Sequence, residues 1–134
     1  MLRETEMQTS RRFLLIAAAF GLTGVSFGAF GAHSLRTTIS SEMLSVFETG
    51  VRYQMYHTFA LFVTAWSLQA RQSRKFENAA WLFVAGTILF SGSLYALALT
   101  SIRSLGVVTP FGGLSLLVGW LMLGLGFWEQ KSGS

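Results

Sequence analysis

Cysteine and aspartate are missing from this 134-residue chain, and proline occurs once. Without cysteine there are no disulfides, thiolate metal ligands or cysteine nucleophiles. Without aspartate the acids reduce to six glutamates, which leaves few groups for acid–base chemistry. Charge is scarce altogether. Asp, Glu, Lys and Arg make up 12% of residues, against about 25% in ordinary soluble domains. Hydrophobic residues reach 51%, with twelve Phe, four Trp and three Tyr. Such a chain is too apolar for disorder, and a domain this small could not hide that much apolar surface as a soluble monomer.

Four runs lack Lys, Arg, Asp and Glu: residues 13–32, 53–70, 79–102 and 110–128, of 20, 18, 24 and 19 residues. At about 1.5 Å rise per residue, each can cross a hydrocarbon core of roughly 30 Å as a helix. Backbone polar groups in lipid must pair within their own segment, so these spans are helices. The expectation is an all-α polytopic membrane protein: a four-transmembrane-helix bundle forming one domain over 13–128, with tails at 1–12 and 129–134. Ser10-Arg11-Arg12-Phe13-Leu14 has the outward form of an export signal. The first run outlasts a signal h-region of about 7–15 residues, however, and is read as a retained anchor.

Four spans place both termini and segment 71–78 on one side, with Arg3, Arg11, Arg12, Arg71, Arg74, Lys75 and Lys131. Arg36, Arg52 and Arg103 fall on the other. This bias predicts cytoplasmic termini. Trp81 and Trp128 then lie at cytoplasmic span ends, as interfacial anchors. The net charge of +4 is thus a topology signal. No folded domain carries a basic face, so the expected partner is the lipid bilayer and not nucleic acid.

Between the first two spans, Ile39, Met43, Phe47 and Val51 recur every four residues, with Glu42 and Glu48 off the stripe. Ser40 or Ser41 can cap this segment and Gly50 can end it, which predicts a short amphipathic helix at the outer interface. Thr109-Pro110 predicts a helix start, with Thr109 as N-cap. Small residues form stripes at three and four spacing: Ala17, Gly21, Gly24, Gly28 and Gly31 in the first span, Ala60, Thr64 and Ser67 in the second, and Gly112, Ser115, Gly119 and Gly126 in the fourth. Lipid supplies no hydrophobic drive between helices, so such stripes mark close packing, here within the chain, in a left-handed bundle.

The few strongly polar groups near the membrane gather in the outer half: His33, Arg36, Arg52, Tyr53, His57, Tyr95 and Arg103, with Ser91 and Ser93 able to reach the same layer. Tyr53 and His57 share a helix face that continues into Ala60, Thr64 and Ser67. His57 therefore points into the bundle and has two readings. It is either the centre of a polar pocket, since intramembrane ionisable groups are functional candidates, or a neutral group holding helices in register through structural bonds. The arginines suit span ends, where they snorkel to headgroups. His33 and His57 as haem or metal ligands want further partners that a chain without Cys or Asp does not supply. No carboxylate lies in a span, and no P-loop sequence is present. The expectation is no enzyme activity, no metal and no cofactor.

Four motifs occur in order: Gly28-Ala29-Phe30-Gly31-Ala32-His33, residues 47–57 (Phe47-Glu48-Thr49-Gly50-Val51-Arg52-Tyr53-Gln54-Met55-Tyr56-His57), Leu89-Phe90-Ser91-Gly92-Ser93-Leu94-Tyr95 and Thr109-Pro110-Phe111-Gly112-Gly113. With them, residues 13–128 resemble a family of small four-helix membrane proteins catalogued as domain of unknown function 423, which includes bacterial inner-membrane proteins and the animal transmembrane protein 256. The resemblance implies a four-span protein of the bacterial inner membrane and carries over no catalytic residue. The leading functional expectation is a non-enzymatic accessory or scaffold subunit, with a membrane-protein partner or a second copy of itself. The alternatives are a small-solute or proton pathway through His57, and lipid or quinone binding beside Arg52 and Arg103.

Overall fold

Serine caps and one left-handed residue set the helix boundaries. In the computed structural model, which describes residues 2–132, helix α1 covers Leu2–His33. A short 3-10 turn at Leu35–Thr37 follows. Helix α2, Ser41–Ala70, begins under Ser40, whose hydroxyl accepts from the Met43 amide at 3.2 Å. Helix α3, Arg74–Thr100, is capped by Ser73 and stops where Ser101 turns left-handed at φ 58°. A second 3-10 turn, Arg103–Val107, leads into α4, Thr109–Ser132.

Each helix packs on its sequence neighbour, α1 on α2, α2 on α3 and α3 on α4. The neighbours are antiparallel. Ser10 bonds to the carbonyl of Ala65 at one end of the α1–α2 pair, and Gly31 meets Phe47 at the other. The start of α1 and the end of α4 therefore lie at the same end of the bundle. There Lys75 and Glu129 join α3 to α4 at 2.5 Å, an exposed pair that contributes little to stability.

On α3–α4, Phe76, Phe83 and Phe90 oppose Gly126, Gly119 and Gly112. Both sets repeat every seven residues; the Phe76 and Phe83 rings lie over Gly126 and Gly119, while Gly112 lies against the backbone of Phe90. The α1 glycines lie on α2, with Gly24 under Gln54 and Met55, Gly21 by Thr58 and Gly28 by Val51. The outer surface carries large apolar side chains on every helix: Leu22 and Val25, Phe59 and Trp66, Ile88 and Leu99, Leu117 and Leu121. A surface of that kind suits lipid as its solvent.

Among the described residues, three helical stretches are long and apolar enough to cross a membrane: Met7–Thr37, Arg74–Thr100 and Arg103–Glu129. Helix α2 is less apolar, because it holds Gln54, His57, Thr58 and Thr64. All four are buried inside the bundle. Its outward face is Tyr56, Phe59, Phe62, Val63 and Trp66.

Several expected boundaries change. The separate amphipathic helix between the first two spans does not exist, because α2 runs unbroken from Ser41 to Ala70. Gly50 does not end a helix. It sits mid-helix under the Tyr95 ring, 2.8 Å from where a Cβ would stand. The stripe expected to lie on the interface turns inward instead, and Phe47 packs against Leu35, Ala98 and Tyr95. Residues 2–12 extend α1 and are not a separate tail. Helix α4 starts at Thr109, whose hydroxyl pairs with Ser93 at 2.7 Å. Of the expected ends, Met1, Gly133, Ser134 and the side chains of Arg3 and Lys131 lie outside the described residues.

Candidate functional site

The expected polar cluster divides between two faces of α2. On the face toward α4 sits His57, 5% exposed. Its Nδ1 lies 2.7 Å from the carbonyl oxygen of Tyr53. A carbonyl only accepts, so Nδ1 carries the proton and Nε2 keeps a lone pair. That lone pair accepts the indole N–H of Trp120 at 3.1 Å. Both nitrogens are thus engaged within the chain, and the geometry is that of a neutral imidazole. Phe83 and Trp120 close around it, their rings 5.4 Å apart and edge-on. Trp120→Phe keeps an aromatic body and deletes the donor. It should lower the unfolding free energy in detergent by about 1 kcal/mol, within the usual range for interhelical bonds; a variant as stable as wild type would show the bond to be idle.

Beside this pair runs a groove of about 720 Å³ between α2 and α4. Tyr53, Tyr56 and His57 form one wall, with Phe90 behind; Pro110, Gly113, Leu117 and Trp120 form the other. The wall is almost wholly apolar, and its one imidazole is already bonded.

On the other face Gln54 ties three helices together. Its Nε2 donates to the Phe20 carbonyl and to the Thr23 hydroxyl of α1, both at 2.8 Å. Its Oε1 accepts from the Tyr95 hydroxyl of α3 at 2.7 Å. One turn away, buried Ser91 donates to the Gly50 carbonyl at 2.7 Å. Gln54 stands in the sequence motif but was not expected as a site residue. Its signal was there, since it continues the face of Phe47 and Gly50.

Tyr53 and His57 therefore belong to the α4 groove, while Ser91 and Tyr95 belong to the Gln54 network. His33, Arg52 and Arg103 are exposed. Gly21 opposite Thr58 sets the level of His57 on α1. His33 lies twelve residues further, about 18 Å along the axis. The two histidines cannot share a ligand. Among the described residues no group of three His or Glu side chains gathers around a common point.

Part of this polar set falls within a known sequence pattern. The family profile described as "Protein of unknown function (DUF423)" matches residues 27–113. The chain belongs to this family. The match takes in Gln54, His57, Ser91 and Tyr95, while Trp120, Phe20 and Thr23 lie outside it. Among relatives, the UPF0382 membrane protein YwdK of Bacillus subtilis is 43% identical over 83% of this chain and 91% of its own length. The UPF0382 membrane protein SAB0533 of Staphylococcus aureus is 45% identical over 83% and 90%. The UPF0382 inner membrane protein YgdD of Escherichia coli is 43% identical over 88% and 90%. No solved structure matches the chain. This DUF423 protein is accordingly a helical membrane protein in contact with the bilayer.

Proposed function

We propose that this DUF423 protein is a non-enzymatic accessory subunit of the bacterial inner membrane. It crosses four times, keeps both termini in the cytoplasm and receives a transmembrane helix of a partner protein in the α2–α4 groove. The observation that carries this reading is the state of His57, which spends both nitrogens on Tyr53 and Trp120 and leaves an apolar groove with no free base. Aromatic walls and the small Gly113 suit a helix lying along the groove. Four crossings are supported by α2 turning its polar residues inward and Phe59, Phe62 and Trp66 outward. Cytoplasmic termini are supported by Arg11, Arg12, Arg71, Arg74 and Lys75 at the end that holds them.

The proton-pathway reading loses support, because His57 has no free nitrogen to shuttle with. A second reading, an anionic lipid in the same groove, is favoured by Arg52. Arg52 lies one turn outward of Tyr56 on the same helix face. A photo-crosslinking residue at Leu117, compared with one at lipid-facing Leu22, separates the two in native membranes. A protein adduct of one discrete mass from Leu117 alone supports the accessory-subunit reading. Lipid adducts at both positions overturn it.

A further inference from the structure

At the end of the bundle where α1 starts, the α1–α2 pair leaves a groove of about 660 Å³. Glu4, Met7, Gln8, Arg11 and Leu14 of α1 line one wall, and Gln69 of α2 lines the other. The five α1 positions follow one another at short helical spacing, so they share one face of the helix. The bond from Ser10 to the Ala65 carbonyl fixes the level of α2. Because the two helices are antiparallel, Gln69 stands one turn nearer the start of α1 than Ser10 does, level with the stretch between Glu4 and Gln8.

Polarity along this groove is ordered by depth. Leu14 belongs to the charge-free run that begins at Phe13, and Arg11 lies just outside that run. Gln8 and Gln69 come next. Glu4 is outermost, about 10 Å along the axis from Arg11. The groove thus passes from hydrocarbon to a cation, then two amides, then an anion. Glu4, Gln8, Arg11 and Gln69 are exposed, and among the described residues none of the four has a hydrogen-bond or ion-pair partner. Topology accounts for the arginine but not for the two unpaired amides beside it.

We infer that the α1–α2 groove is a binding site for a zwitterionic phospholipid with a primary ammonium headgroup, of the phosphatidylethanolamine class. Its phosphate sits at Arg11, with the amides of Gln8 and Gln69 as further donors; its ammonium points to Glu4, and its acyl chains run past Leu14. The phosphate of such a lipid is next to the hydrocarbon and the ammonium lies beyond it, which is the order of Arg11 and Glu4 with the charges reversed. A guanidinium matches phosphate oxygens in pairs, and a carboxylate takes the ammonium N–H groups. Phosphatidylcholine has no such N–H to give, and phosphatidylglycerol brings no cation to Glu4. This site is separate from the α2–α4 groove, and either can fail without the other.

The test is native mass spectrometry of the full chain in detergent micelles, with equal amounts of phosphatidylethanolamine, phosphatidylcholine and phosphatidylglycerol of the same acyl chains. Wild type should retain phosphatidylethanolamine over either other lipid by about fivefold, the ratio that one charged contact at an interface gives. Glu4→Gln should bring phosphatidylethanolamine level with phosphatidylcholine. Arg11→Gln should lower retention of phosphatidylethanolamine by about fivefold. Both side chains are exposed and unpaired, so the melting temperature of the lipid-free protein should stay in place in either variant. Equal retention of the three lipids by wild type marks annular lipid only and overturns the inference. So does a preference that survives Glu4→Gln, retention unchanged in Arg11→Gln, or displacement of the lipid by an equal concentration of soluble phosphoethanolamine.

Discussion

Gly112→Ala should lower the unfolding free energy in detergent by about 3 kcal/mol, the upper part of the range for overpacking. The reason is what the new methyl would meet. At Gly112 a Cβ would stand 2.8 Å from the Phe90 Cα and against its backbone nitrogen. Backbone cannot rotate away, so α3 and α4 must separate along the seam that buries Phe83 and Phe76. At Gly119 the obstacle is the Phe83 ring at 2.9 Å, a side chain that can shift. Gly119→Ala should cost less. Gly124 is exposed and faces open space, so Gly124→Ala should be neutral or stabilise by about 0.5–1 kcal/mol through the better helix propensity of alanine. Denaturant titration of the three variants checks the order. A Gly112 variant as stable as Gly124→Ala would mean that the α3–α4 seam is not the close contact described.

Gln54→Leu should cost about 3 kcal/mol. It removes three interhelical bonds, each contributing roughly 0.6–1.7 kcal/mol inside a bilayer, and leaves the Tyr95 hydroxyl without its acceptor. Tyr95→Phe deletes one of those bonds and should cost about 1 kcal/mol. Because both substitutions break the same Tyr95–Gln54 bond, the double variant should be less destabilised than the sum of the singles. Strict additivity in that cycle would show that Gln54 and Tyr95 do not act together.

The glycine stripes were legible because small residues at three and four spacing have one physical use in lipid, the close approach of helices. What they approach was not. Phe76, Phe83 and Phe90 repeat every seven residues in plain sight, but a phenylalanine in an apolar run faces lipid as readily as a neighbour. Gly50 misled for a related reason. A glycine after an amphipathic stretch reads as a helix end, whereas the unbroken series Phe47, Gly50, Gln54, His57, Leu61, Thr64 and Leu68, buried and spaced three and four throughout, already marked one continuous helix. Gln54 and His57 interrupt the apolar series, and hydropathy treats such an interruption as a boundary.

Length and charge alone determined the solvent, the helical class and the alternation of long apolar rods, because lipid demands an internally bonded backbone whatever the side chains touch. Tertiary structure decided the use of every polar group. A histidine is a base, a ligand or a spacer according to what lies within hydrogen-bond reach of each nitrogen, and those neighbours, Trp120 for His57 and Tyr95 for Gln54, come from 63 and 41 residues away. Spacing along one helix cannot state a distance between two.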